Sequence, residues 1–239
     1  MANACVCGEY FNVNDEGELC LNPGTMGLRQ LVIYATPGTH QFVKANYPWL
    51  ARVRVQAQGA GGGSAGANAA PNECIVRPGA AGGGWSESVI QASALGASEA
   101  VVVGAGGLAG AGNNPGGAGG SSSFGGFVVA PGGDGGTANE TSGTGLDAVS
   151  GVSGPLAGTG QHISGGGAGH GAIRLSATQG LSGAGGESRL GHGGFARATE
   201  GSGTAPRGRG GGAGGALSYG DSVNGEPGGD GIVIVELYG

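Results

Sequence analysis

Leu50-Ala51-Arg52-Val53-Arg54-Val55-Gln56-Ala57-Gln58-Gly59-Ala60-Gly61-Gly62-Gly63 is the stretch whose reading decides the fold. Its first nine residues alternate small or apolar with polar. That period of two predicts a half-buried β-strand with Val53 and Val55 inward and Arg52 and Arg54 outward. At Gly59 the character of the chain changes. Glycine makes up 62 of the 239 residues, and no residue loses more backbone freedom on ordering. Glycine tracts must therefore pack backbone against backbone or stay disordered.

Working outward, Leu31–Tyr34 and Thr39–Lys44 read as strands before the decisive stretch. Trp85–Gln91, Glu99–Val103, Ser123–Ala130 and Ala172–Leu175 read as strands after it. The end, Gly231-Ile232-Val233-Ile234-Val235-Glu236-Leu237-Tyr238, is a strong strand, and its continuous apolar run predicts that both faces are covered. Pairing 50–58 with 231–238 would close the framework. At the start, Tyr10–Val13 and Glu18–Leu21 flank Asn14-Asp15-Glu16-Gly17 as a hairpin, with a second turn at Asn22-Pro23-Gly24.

Between these strands lie glycine tracts at 104–122, 132–171 and about 180–231. Low-charge glycine can take the polyproline-II helix, with three residues per turn and no internal hydrogen bonds. Without Cβ atoms such helices can lie side by side and bond each other's N–H and C=O groups. Gly61–Gly63, Gly82–Gly84, Gly165–Gly167 and Gly210–Gly212 suit the crowded positions. The expected fold is all-β: a small β-sandwich-like framework with long glycine-rich excursions in polyglycine-II helices, and almost no α-helix. Residues 1–30 form an N-terminal hairpin module and 31–239 a glycine-rich β domain.

Composition bounds function. Only 11% of residues are charged, unlike a disordered segment. The net charge of −6 is spread without long runs, which argues against a nucleic-acid or anionic-membrane partner. No stretch approaches a transmembrane helix, so no membrane insertion is expected. The start, MANACVCGEYF, lacks the basic and apolar regions of a signal peptide, so synthesis in a cytoplasm is expected. Cys5, Cys7, Cys20 and Cys74 read as reduced thiols; the Cys5-x-Cys7 spacing is wrong for zinc. Much of the 38% hydrophobic fraction is alanine, so the apolar core is small and oligomerisation is a natural remedy.

The order of the pieces is informative. Thr36-Pro37-Gly38-Thr39-His40-Gln41-Phe42-Val43 is followed by Ala51-Arg52-Val53-Arg54-Val55-Gln56-Ala57-Gln58-Gly59-Ala60-Gly61-Gly62-Gly63. Then come Gly82-Gly83-Gly84-Trp85-Ser86-Glu87-Ser88, Val101-Val102-Val103-Gly104-Ala105-Gly106-Gly107 and Gly119-Gly120-Ser121-Ser122-Ser123-Phe124-Gly125. Pro227-Gly228-Gly229-Asp230-Gly231-Ile232-Val233-Ile234-Val235 closes the series. Over 31–239 this resembles the glycine-rich domain of bacteriophage tail-tip, tail-fibre and minor tail proteins, and the hairpin is similar to modules in phages of actinobacteria. The resemblance implies a virion tail protein made in the host cytoplasm, commonly a homotrimer. Its partners would be other tail proteins and a host-surface glycan or protein. It supplies no catalytic residues and no cofactor. The alternative is a bacterial glycine-rich surface or secreted structural protein.

Several motifs mislead. Gly62-Gly63-Ser64-Ala65-Gly66 fits a nucleophile elbow, but in a chain this rich in glycine the match is expected by chance and lacks the strand-then-helix context. The chain reads as non-enzymatic. Gly132-Gly133-Asp134-Gly135-Gly136 and Gly228-Gly229-Asp230-Gly231 lack the spacing of calcium-binding repeats, and Pro206-Arg207-Gly208-Arg209-Gly210-Gly211-Gly212 reads as a solvated loop. His40, His162, His170 and His192 are dispersed, the last three as loop residues. Trp49, Trp85, Phe124 and Phe127 read as core anchors. Phe195 and Tyr219, inside the long C-terminal tract, are the candidates for receptor contact if that tract is exposed, since aromatics give contact area at low entropic cost.

Overall fold

The structure, a computed structural model, describes residues 8, 10–22 and 27–239. Cys5, Cys7 and the turn expected at Pro23-Gly24 lie outside the described residues. Eleven strands carry the framework: β1 (Phe11–Val13), β2 (Leu19–Leu21), β3 (Leu28–Tyr34), β4 (Gly38–Val43), β5 (Arg52–Gln58), β6 (Trp85–Gln91), β7 (Ser98–Val103), β8 (Ser122–Phe124), β9 (Val128–Ala130), β10 (His162–Ser164) and β11 (Ile232–Tyr238). β1 and β2 form the expected hairpin, Phe11 opposite Leu21 and Val13 opposite Leu19. Gly17, at φ +83°, supplies the turn.

The other nine strands make two antiparallel sheets. One runs in the order β10-β6-β5-β11-β3 and the other β9-β8-β7-β4. The predicted closure is present: Val53, Val55 and Ala57 of β5 stand opposite Leu237, Val235 and Val233 of β11. All six are fully buried, and they meet Phe42, Val101, Val103, Phe124 and Val128 of the facing sheet. The inner faces thus form a β-sandwich core. Phe124 and Trp85 are buried, and Trp49 and Phe127 pack against the core or its margin.

Two strand expectations are corrected. Ser123–Ala130 is not one strand but the hairpin β8–β9, because Gly125, at φ +50°, turns the chain back. β11 is covered on one face only: Val233, Val235 and Leu237 are buried, while Ile232, Ile234, Glu236 and Tyr238 are half-exposed. The apolar run reflects an antiparallel sheet whose outer face stays open.

At one end of the sandwich the strands run directly into glycine. Consecutive residues after β5 donate to three different neighbours in rotation. Gly59 and Gly62 donate to Gly84 and Ala81, Ala60 and Gly63 to Gly120 and Gly117, and Gly61 and Ser64 to Gly229 and Glu226, all at 2.8–3.0 Å. Residues three apart reach the same neighbour, as a helix of three residues per turn requires. The carbonyls are used as fully. Ala60 and Gly63 accept from Gly133 and Gly136, Gly61 and Ser64 from Gly107 and Gly110, and Gly62 from Ala213.

The 59–66 helix is therefore ringed by the 78–84, 115–121 and 225–231 helices, which run against it, and the 104–110, 131–136 and 210–216 helices, which run with it. This is a polyglycine-II bundle. Apart from Gly210 at the start of its segment, the glycines of these seven helices have no positive φ. They share the left-handed polyproline-II hand with the L-residues Ala60, Ser64, Ala80 and Pro131. A Cβ on Gly61 would lie 2.0 Å from the Gly211 carbonyl oxygen, and one on Gly62 2.1 Å from that of Asp134. Sheets that stand about 10 Å apart where side chains separate them converge to direct hydrogen bonding where the side chains end. The glycine tracts are the second half of the core, and the 210–218 part of the C-terminal tract is wholly buried.

Candidate functional site at the far end of the bundle

An eight-residue helix at about 3.1 Å per residue carries the chain some 25 Å from the sandwich. There the helices end in short strands. Ile75–Val76 pairs with Leu217–Ser218, and Ala67–Asn68 with Ser222–Val223. Asp147–Val149, Ala172–Ser176 and Gln179–Leu181 form a three-stranded sheet. Two small apolar clusters lie beneath: Ala67, Ala69, Ile75 and Ala216, and Cys74, Val76, Ala172 and Leu217.

A buried ionic network fixes this end. Arg77 is fully buried and sits where the 78–84 helix begins. It donates through Nε to the Gly66 carbonyl, through Nη1 to the Glu140 carbonyl and through Nη2 to Asn113 Oδ1, each at 2.8 Å. Glu140 accepts the Val76 N–H at 2.7 Å on Oε2 and meets Arg174 Nη1 at 3.0 Å on Oε1. Arg174 also donates to the Gly145, Cys74 and Thr141 carbonyls and reaches Asp147 at 3.2 Å. Two arginines and one glutamate thus clamp the 137–147 loop onto the bundle end.

The environment moves the ionisable groups. Burial pushes the Glu140 carboxyl up to about 7, against the pull of the Val76 N–H and both guanidiniums. Burial, aided by Glu140, pushes the Cys74 thiol up to about 11. Burial lowers Arg77, whose three oxygen acceptors still suit a guanidinium.

Above the clamp lies a cleft of about 640 Å³, lined by Leu175, Thr178, Gln179, Ala198, Glu200 and Tyr219 among others. Tyr219 is half-buried and its hydroxyl donates to the Ala198 carbonyl at 3.2 Å. Glu200 accepts the N–H groups of Tyr219 and Asp221. Ile173, Leu175 and Leu181 are exposed on the adjacent three-stranded sheet, with Ile173 paired to Leu181. Apolar side chains, a phenol and amide and carboxylate groups therefore share one end surface, the composition of a recognition site.

The structure separates the two aromatic candidates. Tyr219 belongs to this end. Phe195, 59% exposed, lies in a smaller cleft of about 260 Å³ with His192, Gly193, Ala205 and Arg207. That cleft is on the bundle flank, where Gly194 bonds Gly185 and Gly212. Arg77 and Arg174 were not singled out from the sequence, and Glu140 only as the middle residue of the glycosylation pattern Asn139-Glu140-Thr141. The usable signal was a lone charge within nearly uncharged tracts, as at Arg77-Pro78-Gly79.

The misleading motifs have structural explanations. Ser64 lies in the central helix, fully buried, and its hydroxyl accepts the Glu226 N–H at 2.9 Å. Asp230 Oδ1 accepts the Gly106 N–H at 2.8 Å. Arg209 donates to the Ala35 carbonyl at 2.9 Å, which fastens it to the sandwich rather than to solvent. His162 stands on the edge strand β10 rather than in a loop. A family model of a glycine-rich domain matches residues 37–238. No curated protein matches the chain.

Proposed function

We propose, for a chain that belongs to the glycine-rich domain family, that it is a structural subunit of a bacteriophage tail tip or tail fibre. Its task is mechanical and adhesive rather than catalytic. The observation that carries this reading is the ring of six helices bonded around 59–66. Every backbone direction is tied to a neighbour, so the bundle is a stiff spacer built from the smallest side chain. Such a spacer holds the Tyr219 end away from the sandwich. In this reading the sandwich side joins other tail proteins and the far end meets a host-surface glycan or protein. The chain is made in the host cytoplasm and works in the virion. The ordered resemblance of its strand and glycine segments to tail proteins supports the same assignment.

The test is immunogold microscopy with antibody against the purified chain. Gold at the distal tail of intact virions is the expected result. Gold on the envelope of uninfected bacteria, with none on virions, would overturn it in favour of a bacterial glycine-rich surface protein.

A further inference from the structure

Two apolar surfaces are left uncovered by the described residues. The first is one face of the β1–β2 hairpin. The pairing puts Phe11, Val13, Leu19 and Leu21 on a single side. Val13, Leu19 and Leu21 are 65%, 54% and 42% exposed, and no hairpin residue joins a core cluster among the described residues. A two-stranded hairpin is marginal alone and needs a surface to pack on.

The second is the free edge of the five-stranded sheet. Leu28, Leu31 and Ile33 of β3 are 57%, 49% and 53% exposed. Leu31 stands opposite Glu236 and Ile33 opposite Ile234, both on the outer face. A register shift between Leu237 and Tyr238 brings Leu28 opposite Tyr238, so all three apolar side chains share that face. The middle of the face is polar, with Arg54 bonded to Glu87 and Glu236. The exposed apolar residues are densest on the edge strand, where Ile234 of β11 adjoins Ile33, while Val89 of β6 is a separate exposed apolar residue opposite Arg54. The outer backbone groups of β3 lack a strand partner among the described residues. An exposed apolar edge of this kind is a docking site or an aggregation hazard.

The two surfaces also match in charge. The hairpin turn carries Asp15, Glu16 and Glu18. The β3 side carries Arg29, over the Trp49 ring at 4.2 Å, and Arg52, over the Tyr238 ring at 4.9 Å.

We infer that the hairpin of one chain packs its apolar face on the β3 edge of a second copy, with its acidic turn toward Arg29. Each chain then offers one hairpin and one edge. The contact is heterologous, and repetition closes a ring, a reciprocal pair or a trimer. The partner is another copy because this chain carries both complementary surfaces, and no described residue covers either of them.

The inference does not depend on the tail assignment, and its test is separate from the gold labelling. The full chain is studied by size-exclusion chromatography with light scattering, under reducing conditions to exclude disulfides. Wild type should run at two or three times the 22.5 kDa chain mass. The hairpin variant Val13→Asp/Leu19→Asp and the edge variant Leu31→Glu/Ile33→Glu should each run as monomers. Their melting temperatures should match wild type measured under dissociating dilution, since the altered residues are exposed in the single chain. Mixing the two variants should restore a 1:1 dimer, because one keeps a sound edge and the other a sound hairpin. A monomeric wild type overturns the inference. So does an assembly that survives the edge variant, or a mixture that stays monomeric.

Discussion

Replacing Gly62 by alanine tests the bundle at its centre. The new Cβ would lie 2.1 Å from the Asp134 carbonyl oxygen and 2.6 Å from its carbon. Real Cβ contacts do not fall below 3.0 Å, so the 131–136 helix must retreat by about 0.9 Å. That helix is held beside Gly62 by two bonds, Gly133 N–H to the Ala60 carbonyl at 2.8 Å and Gly136 N–H to the Gly63 carbonyl at 2.9 Å. Both flank the intruding methyl, and neither group has water to turn to. Counting one buried group left unsatisfied per broken bond, at about 1–3 kcal/mol each, the loss is about 2–6 kcal/mol. Alanine also stiffens the unfolded chain, which offsets about 0.4–1 kcal/mol. The net loss is a large part of a total stability of about 5–15 kcal/mol. For a domain of this size it lowers Tm by about 5–20 °C. Thermal unfolding followed by tryptophan fluorescence measures the change, with Gly126→Ala as the control. A Cβ at Gly126 meets nothing within 4 Å, so that variant should melt within a few degrees of wild type. If Gly62→Ala melts together with Gly126→Ala, the helices are not packed backbone to backbone.

Cys74, buried with its thiol pushed to about 11, should not react with Ellman's reagent near pH ~8, because the thiolate is the reactive form. Wild type and Cys74→Ser should show equal fast-reacting thiols when native and differ by one in denaturant. Glu140, raised to about 7 from 4.5, holds its proton more tightly in the folded chain. Its contribution to stability is full below pH 4.5 and is lost as pH rises through about 7. The Tm advantage of wild type over Glu140→Gln should therefore shrink across that window, and a gap that widens with pH would refute the assignment. Leu175→Ser, at an exposed residue of the same cleft, should weaken binding of the purified chain to host cells at least ten-fold while leaving Tm within a few degrees. Tyr219→Ala should weaken binding and also lower Tm, because its ring packs on Cys74, Val76, Ala172 and Leu217. Unchanged binding would remove the bundle end from the recognition surface.

The framework was legible because strands announce themselves locally. The alternation in 52–58 and the run in 232–238 are complementary, and they pair in full register. The three-residue period of the glycine helices was also legible, since low charge and glycine triplets leave few other ordered forms. What could not be read is which helix meets which. Glycine has no side chain to mark a partner, so the Ala60-to-Gly120 and Gly61-to-Gly229 bonds follow only from where the strands β8 and β11 deliver their helices. The clamp was hidden for another reason. Arg77, Glu140 and Arg174 are far apart in sequence, and each alone reads as a solvated charge. Burial at the end of the bundle makes them one network. Tyr219 was found as an aromatic in the tract, but its setting beside Leu175 and Glu200 needed the fold.

The packing rule of the bundle also limits where function can reside. At crowded positions such as Gly61, Gly63 and Gly82, a Cβ would meet a carbonyl oxygen at 2.0–2.2 Å. No residue with chemistry of its own fits there without breaking the array. Side chains large enough to recognise a partner are therefore driven to three places: the bundle ends, its outer flank and the open face of the sandwich. The candidate surfaces fall on all three, at Tyr219, Phe195 and the Leu28–Ile33 edge respectively. Their spacing is set by backbone hydrogen bonds rather than by their own contacts. Changing a residue at one surface should therefore leave the others in place. It is also why the Gly62→Ala and Leu175→Ser experiments separate cleanly: the first breaks the array that fixes the spacing, and the second alters an exposed surface residue while leaving the array whole.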